Sequence, residues 1–222
     1  MSAGTVASSR LRRLAQRRGA PAAAPAARAS TQPELERCDL CAAPLPPEHR
    51  HLLDLDTGRP ECACRACVIL FDRGQAGGDH YRLIPERRLR LVGPGLDDRV
   101  WAALGIPVDV AFVTVRGATG TVVARYPSPI GLTTAAPATD AWEQVVAAEP
   151  ALAGMEPDVE ALLVNRARGA RERWLVPIDD CFRLAARLRE HWTGFNGGDA
   201  VWEQIAGFFA ELREQYDRKE DA

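Results

Sequence analysis

The sequence lacks the features that most directly indicate a membrane location or a catalytic mechanism. No apolar run approaches the roughly 20 residues that span a bilayer. The paired arginines near the N-terminus are not followed by an apolar stretch, so no secretory or twin-arginine signal is predicted. There is no glycine-rich dinucleotide fingerprint, no nucleophile elbow and no P-loop. We therefore expect a cytoplasmic protein without a membrane span, and the sequence favours a non-catalytic role.

A strong excess of charge of either sign is also lacking. The net charge is −2 at pH 7, so the chain as a whole is not attracted to nucleic acid or to anionic membranes. Lysine is nearly absent, because only Lys219 is lysine and the other 27 basic residues are arginine. With 18 glycines and 16 prolines, this bias indicates a GC-rich genome rather than phosphate-binding chemistry. Nucleic acid is therefore not the expected partner.

Cysteine, by contrast, is concentrated in one short window. Five of the six cysteines lie between positions 38 and 67, in two C-x-x-C pairs and one additional residue. Such pairs in a chain without a signal sequence favour metal binding over disulfides. Each C-x-x-C turn offers two thiolates, and two turns joined by a hairpin supply the four ligands of a tetrahedral site. The predicted ligands are Cys38, Cys41, Cys64 and Cys67.

Three other side chains within this window are further candidate ligands. Cys62 faces the same side of a predicted strand as Cys64, and we interpret it first as a packed or supporting thiol. His49 lies just before the first predicted strand and His51 begins it, and either could coordinate the metal if one cysteine does not. The isolated residues interpreted as structural or as part of the core are His80, His191 and Cys181.

Zinc is the expected metal, and iron is the alternative. Rubredoxin-type iron sites usually carry glycines beside their cysteine turns, and here Ala42 and Val68 occupy those positions. Four cysteine ligands leave no open position for substrate, so the site is expected to be structural. The alternatives are an iron-thiolate electron carrier and an HNH-like nucleic-acid-binding module. In that second case His51 is the base, but Asp72 is the only metal-ligating residue that the helix segment VILFDRG offers.

The pattern along the chain divides it into five segments. Residues 1–33 hold six arginines and no acid, which predicts a disordered basic tail, with a short basic helical segment near Leu11 and Leu14 as the alternative. The other predicted segments are a zinc-binding module at 34–75, an irregular linker at 76–107, an α+β domain at 108–216 and a tail at 217–222.

Within the module, the predicted order is cysteine turn, hairpin, helix. The strands are expected at 51–56 and 59–63 with a turn at Thr57-Gly58, and the helix at 64–74. Cys64 and Cys67 then lie in the first turn of that helix, where the helix dipole favours thiolate charge. This order is typical of a treble clef or zinc ribbon.

The remainder of the chain predicts an antiparallel sheet followed by helices. Two hairpins are expected, 109–115 with 121–127 and 160–165 with 171–177. Short helices are predicted after Asp97 or Asp98 and after Asp140. Two longer C-terminal helices, capped by Asp179 and Asp199, carry apolar residues at helical spacing. The predicted fold class is therefore α+β.

The pieces CDLC, EHRH and CACRACVILF, followed by VNRARGARERWLVPIDDCFRLAARLREHWTG, resemble an uncharacterised bacterial family. The resemblance covers about residues 36–214. Genes of that family lie beside those for nickel–iron hydrogenases, which implies an accessory role and a hydrogenase subunit or maturation factor as partner. That family has no established activity, so the resemblance carries over no catalytic residue. The residues that match its metal-like motif are the cysteines at 38, 41, 62, 64 and 67.

Overall fold

The computed structural model describes residues 36–71, 80–93, 96–194 and 197–220, which belong to one compact unit. The predictions for the tail at 1–33, for Asp72 and for the end of the module helix at Gly74 fall outside these ranges. Among the described helices, none combines the length and the hydropathy that a membrane crossing requires.

A small three-stranded antiparallel sheet holds the cysteine-rich window. Strands β1 (Arg50–Asp54) and β2 (Arg59–Ala63) form the predicted hairpin, and helix α1 (Arg65–Phe71) follows directly. Gly58 closes the turn with a φ of 69°, in the left-handed region that favours glycine. Strand β3 (Tyr81–Leu83) pairs with the other edge of β1, so the strand order is β2-β1-β3.

A six-stranded antiparallel sheet forms the centre of the larger part. Its strand order is β4-β9-β8-β5-β6-β7. The strands are β4 (Leu89–Arg90), β5 (Val110–Val115), β6 (Val122–Ser128), β7 (Gly131–Ala135), β8 (Glu160–Asn165) and β9 (Glu172–Pro177). Both predicted hairpins, β5 with β6 and β8 with β9, are confirmed.

Helices cover both faces of this sheet. They are α2 (Asp98–Ala103), α3 (Thr139–Ala148), α4 (Ile178–Glu190) and α5 (Gly198–Glu220), with short 3-10 turns at Pro150–Gly154 and Ala167–Gly169. Successive strand residues point to opposite faces, and the two faces belong to two separate apolar clusters. One cluster contains the buried stripes of α4 and α5, and the other contains those of α2 and α3. The predicted α+β class, with antiparallel sheets and C-terminal helices, is confirmed.

The segment expected to be an irregular linker contributes to both sheets. Within 76–107, the described residues include β3 in the small sheet and β4 at the edge of the large one. These strands have three and two residues, too few to show an alternating pattern. The predicted short helix is present as α2, and Asp97 is its N-cap, because the Asp97 carboxylate accepts a hydrogen bond from the N–H of Val100.

Other helix ends differ from the prediction. Helix α3 begins after Ala138, which has no side-chain cap, and Asp140 lies within the first turn. Likewise α4 begins after Pro177, so Asp179 is a first-turn residue rather than the cap. Acidic residues are favourable throughout a first turn because of the helix dipole, and a sequence pattern therefore misplaces the cap easily. The predicted tail at 217–222 is helical as far as residue 220.

Candidate metal centre

The first cysteine pair lies in a tight turn. The N–H of Ala42 donates to the carbonyl of Cys38 at 2.8 Å, and the N–H of Cys38 donates to the carbonyl of Ala43 at 2.8 Å. Ala42 has a φ of 59°, in the left-handed region. Arg37 then pairs with Pro44 in an isolated antiparallel bridge that closes the base of the turn. The pattern C-D-L-C therefore brings both thiols to one side of a compact loop.

The second pair lies at the beginning of a helix. Cys64 directly precedes α1 and Cys67 lies in its first turn, where the N–H of Val68 donates to the carbonyl of Cys64 at 3.0 Å. Asp39 joins the first turn to β2. Its N–H donates to the carbonyl of Cys62 at 2.9 Å, and its Oδ2 accepts from the N–H of Cys62 at 2.6 Å. These contacts fix the two cysteine pairs relative to each other.

The four sulfur atoms converge. Those of Cys38, Cys41, Cys64 and Cys67 all lie within 4.8 Å of one another. The Sγ atoms of Cys41 and Cys64 are 3.7 Å apart. Metal–sulfur bonds of about 2.3 Å at tetrahedral corners place sulfurs about 3.8 Å apart, so this spacing fits a single ion. Cys38 and Cys67 are buried and Cys41 is exposed. The four-cysteine group therefore lies at the protein surface, with two of its cysteines on the buried side.

The four thiols differ in the direction in which their surroundings shift the pKa. Burial acts to raise the pKa of Cys38, but backbone N–H groups, that of Cys64 first, outweigh it and lower the pKa to about 7. The N–H of Cys67 lowers the pKa of Cys64. Burial and then the neighbouring thiols raise the pKa of Cys67. At Cys41 the N–H of Ala43 acts to lower the pKa, but the thiols of Cys38 and Cys64 act against it and the pKa is raised. Four thiolates this close repel each other, and a bound cation removes that penalty.

The further candidate ligands form a separate group. A ring nitrogen of His49, a ring nitrogen of His51 and the sulfur of Cys62 lie within 4.8 Å of one another. Burial, and then the nearby carboxylate of Asp39, raise the pKa of Cys62 to about 11. A hydrogen bond to the carboxylate of Asp179 raises the pKa of His51. The structure thus brings Cys62 and His51 together, but not into the four-cysteine group.

Two contacts here were not expected from the sequence. His51 Nδ1 lies 2.9 Å from Asp179 Oδ2, across 128 positions of the chain. His80, expected to be isolated, contacts Asp56 at 2.9 Å and Asp54 at 3.4 Å. Because Asp54 also accepts hydrogen bonds from the backbone of the β1–β2 turn, this second contact stabilises the hairpin. The structural interpretation of His80 is consistent with that position.

Comparison with known proteins identifies a family but no activity. No curated protein and no solved structure matches the chain. Residues 37–216 match the family described as "Family of unknown function (DUF5947)". The matched range contains the four-cysteine group, the His49, His51 and Cys62 group, and both sheets. The chain therefore belongs to the DUF5947 family, a family of unknown function.

Proposed function

We propose that this chain is a non-catalytic accessory protein that binds one zinc ion and acts through contacts with a protein partner. The proposed ligands are Cys38, Cys41, Cys64 and Cys67. The convergence of four sulfurs from two separate turns is the observation that carries the proposal. The reduced thiols that such a site needs favour a cytoplasmic location.

A structural rather than a catalytic ion is favoured by the ligand count. Four thiolates fill a tetrahedral zinc and leave no position for water or substrate. The order cysteine turn, hairpin, helix supports a treble-clef-like or zinc-ribbon-like module. The small apolar cluster around the site includes two of the cysteines, Cys38 and Cys67, among its buried residues. Metal binding would supply folding free energy of about 10 kcal/mol to this part of the chain.

An iron-thiolate electron carrier is the second candidate. Cys41 is exposed, and an exposed ligand gives a redox partner access to the metal. Ala42 replaces the glycine common in such turns, yet it adopts the left-handed backbone that a glycine would take. Zinc is preferred for a structural site, and the visible spectrum separates the two metals, because iron-thiolate sites are coloured and zinc sites are not.

Exposed apolar side chains on the module favour a role in binding a protein partner. Ile69 and Leu70 on α1 are 63% and 50% exposed, although both are large apolar side chains. Exposed apolar side chains that lie together mark contact surfaces more often than isolated ones do. The resemblance to a family encoded beside nickel–iron hydrogenases supports a hydrogenase subunit or maturation factor as that partner.

The test of metal binding compares two cysteine variants. Cys41→Ser should lose the ion of the four-cysteine group and unfold the region around 36–71. Cys181→Ser should keep the ion, because Cys181 is buried in α4 among the sheet-facing residues. Elemental analysis under reducing, anaerobic conditions measures both. A Cys41→Ser protein with unchanged metal content would show that the ligand set is wrong.

The test of the partner uses the exposed helix surface. In a bacterium that encodes both proteins, the tagged chain should co-purify with a hydrogenase subunit or maturation factor, and Ile69→Glu should abolish this while metal content stays constant. Arg65→Glu, a charge change at an exposed position on the same helix, is the control. Co-purification that is unaffected by Ile69→Glu would place the contact elsewhere, and its absence from the wild type would remove the hydrogenase partner.

A further inference from the structure

His49, His51 and Cys62 lie together on the hairpin beside the four-cysteine group. His51 and Cys62 are direct cross-strand partners in the β1–β2 pairing. The ring of His49 packs edge-on against that of His51, with ring centroids 4.9 Å apart. The two ring nitrogens and the sulfur lie within 4.8 Å of one another. We propose that these three side chains bind a second ion, a divalent transition metal of the zinc type, with one coordination position open.

His49 presents a buried nitrogen without a partner. Its side chain is 7% exposed. Nδ1 faces two acceptors, the carbonyl of Pro46 at 3.1 Å and the carboxylate of Glu36 at 3.7 Å, so Nδ1 carries the proton. Nε2 is buried and has no hydrogen-bond partner among the described residues. A buried polar atom without a partner is costly, and a metal ion would use the Nε2 lone pair.

His51 is oriented in the same way by a carboxylate. Its Nδ1 lies 2.9 Å from Oδ2 of Asp179, in the first turn of α4. The carboxylate accepts a hydrogen bond from Nδ1–H, which leaves the Nε2 lone pair for a metal. In protein metal sites, the ring nitrogen of a histidine that does not bind the metal commonly donates a hydrogen bond to a carboxylate, and this bond fixes the orientation of the ring. In this chain the carboxylate belongs to α4, a helix that packs on the large sheet. The proposed site therefore connects the small sheet with the large one.

Cys62 completes a set of three ligands with a fixed backbone. Asp39 holds both the N–H and the carbonyl of Cys62. Two imidazoles and one thiolate form a borderline-soft set that suits zinc and its neighbours in the transition series, and not magnesium or calcium. Three protein ligands leave the fourth tetrahedral position to water or an exchangeable ligand. This set therefore differs from the four-cysteine group, in which every position is filled by protein.

A cavity lies beside the two histidines. It has a volume of about 720 Å³, and its lining includes His49, His51 and Asp179 but not Cys62. The charges around it are balanced, since the arginines at 50, 88, 183 and 218 are matched by the acids at 48, 86, 179 and 180. A small ligand in this cavity would approach the proposed ion from the side of the two histidines, without strong selection for its charge.

Metal counting by native mass spectrometry of the reduced, zinc-saturated full chain tests the proposal. The wild type should hold two ions. Cys62→Ser and His49→Ala should each hold one, with zinc affinity at the second site lowered by more than about 100-fold. His191→Ala, which changes an exposed histidine at the end of α4, is the control and should hold two. Asp179→Asn should keep the ligands but lower zinc affinity there by about 10–100-fold.

Cobalt substitution gives a second readout. Replacing Cys62 should remove the thiolate charge-transfer absorption of the second ion and leave that of the four-cysteine ion. A variant that keeps the absorption of the four-cysteine ion is folded around that site. If His49→Ala does not fold, His51→Asn takes its place. A wild type with only one ion, lost in Cys64→Ser but kept in Cys62→Ser, would overturn the second site and leave the first intact. One ion lost only in Cys62→Ser would support the second site and contradict the first.

Discussion

At the scale of the residue, Ala42 shows how closely the backbone of the first cysteine turn is specified. Its φ of 59° is a conformation that side chains with a Cβ rarely adopt, and for β-branched residues the conformation is strongly unfavourable. The hydrogen bonds on either side of Ala42, from Cys38 to Ala43 and from Ala42 to Cys38, hold it in place. Alanine is tolerated there because its side chain is minimal.

A substitution series at position 42 tests whether the left-handed backbone limits the side chains that fit there. Ala42→Val should lower the free energy of unfolding by about 1–3 kcal/mol, because a β-branched side chain is strained at this φ. Ala42→Gly should not lower it. Urea unfolding of the metal-loaded protein measures both. Ala66→Val, an exposed site with helical backbone in α1, is the control and should cost no more than about 0.7 kcal/mol. Equal losses at the two positions would contradict the strain argument.

At the scale of the element, the short segment between β3 and β4 connects the two sheets through adjacent arginines. Arg87 pairs with Glu160, the first residue of β8, whose side chain is fully buried. Arg88 pairs with Asp180 of α4, which is 2% exposed, through two hydrogen bonds of 2.6 and 3.0 Å. A buried carboxylate without its partner is strongly destabilising, so these two contacts hold the segment against the large sheet.

Removing Arg87 should therefore be costly. Arg87→Ala should lower the free energy of unfolding by roughly 3 kcal/mol, because Glu160 then remains buried without its counter-ion. Arg99→Ala, an exposed arginine of α2, should change it by less than about 0.5 kcal/mol. Denaturant unfolding at pH 7 compares the two. If Arg87→Ala and Arg99→Ala unfold alike, the ion pair does not hold the segment in place.

The same segment shows what a sequence can and cannot predict. The hairpins β5–β6 and β8–β9 were predictable because β-branched runs flank turn residues, and the cysteine group because its spacing is local. Strand β7 and the two shorter strands carry little pattern. The Arg87–Glu160 pair joins positions 73 apart, and no periodicity reports such a contact.

The group formed by His49, His51 and Cys62 could be predicted in part from the sequence. His49 and His51 are two positions apart, as residues on one face of an extended segment are, and the hairpin register places Cys62 opposite His51. Asp179, in contrast, could not be assigned to His51 from the sequence. Its position at the beginning of a predicted helix favoured a capping role, and only the tertiary fold brings α4 to the hairpin.

At the scale of the whole molecule, β1 links the cysteine-rich module to the main core. Leu52 belongs to the small apolar cluster around the cysteines, while the next residue, Leu53, belongs to the cluster beneath α4 and α5. Ile84, just after β3, lies in that same larger cluster. The module is therefore packed onto the sheet rather than tethered to it, and loss of the metal should affect both.

Metal removal should thus have a graded effect. A strong zinc chelator should abolish the hydrogen-exchange protection of β1, β2 and α1, because that region has too small a core to fold without its ion. Protection of β5 and β8 should persist, while the thermal midpoint falls through loss of the contacts of Leu53 and Ile84. Adding zinc should restore both. Unchanged exchange in β1 and β2 after verified metal loss would contradict this view of the module.

X-ray absorption spectroscopy at the zinc edge tests the central claim, the four-cysteine zinc site, most directly. The Cys62→Ser variant is the right sample, because it removes a ligand of the proposed second site and leaves the four cysteines. We expect about one zinc per chain surrounded by four sulfurs at about 2.3 Å, in a colourless protein. A coloured protein whose iron-edge spectrum shows the same four-sulfur shell would instead support the electron carrier. Absence of metal, or a shell containing nitrogen or oxygen, would contradict the four-cysteine site.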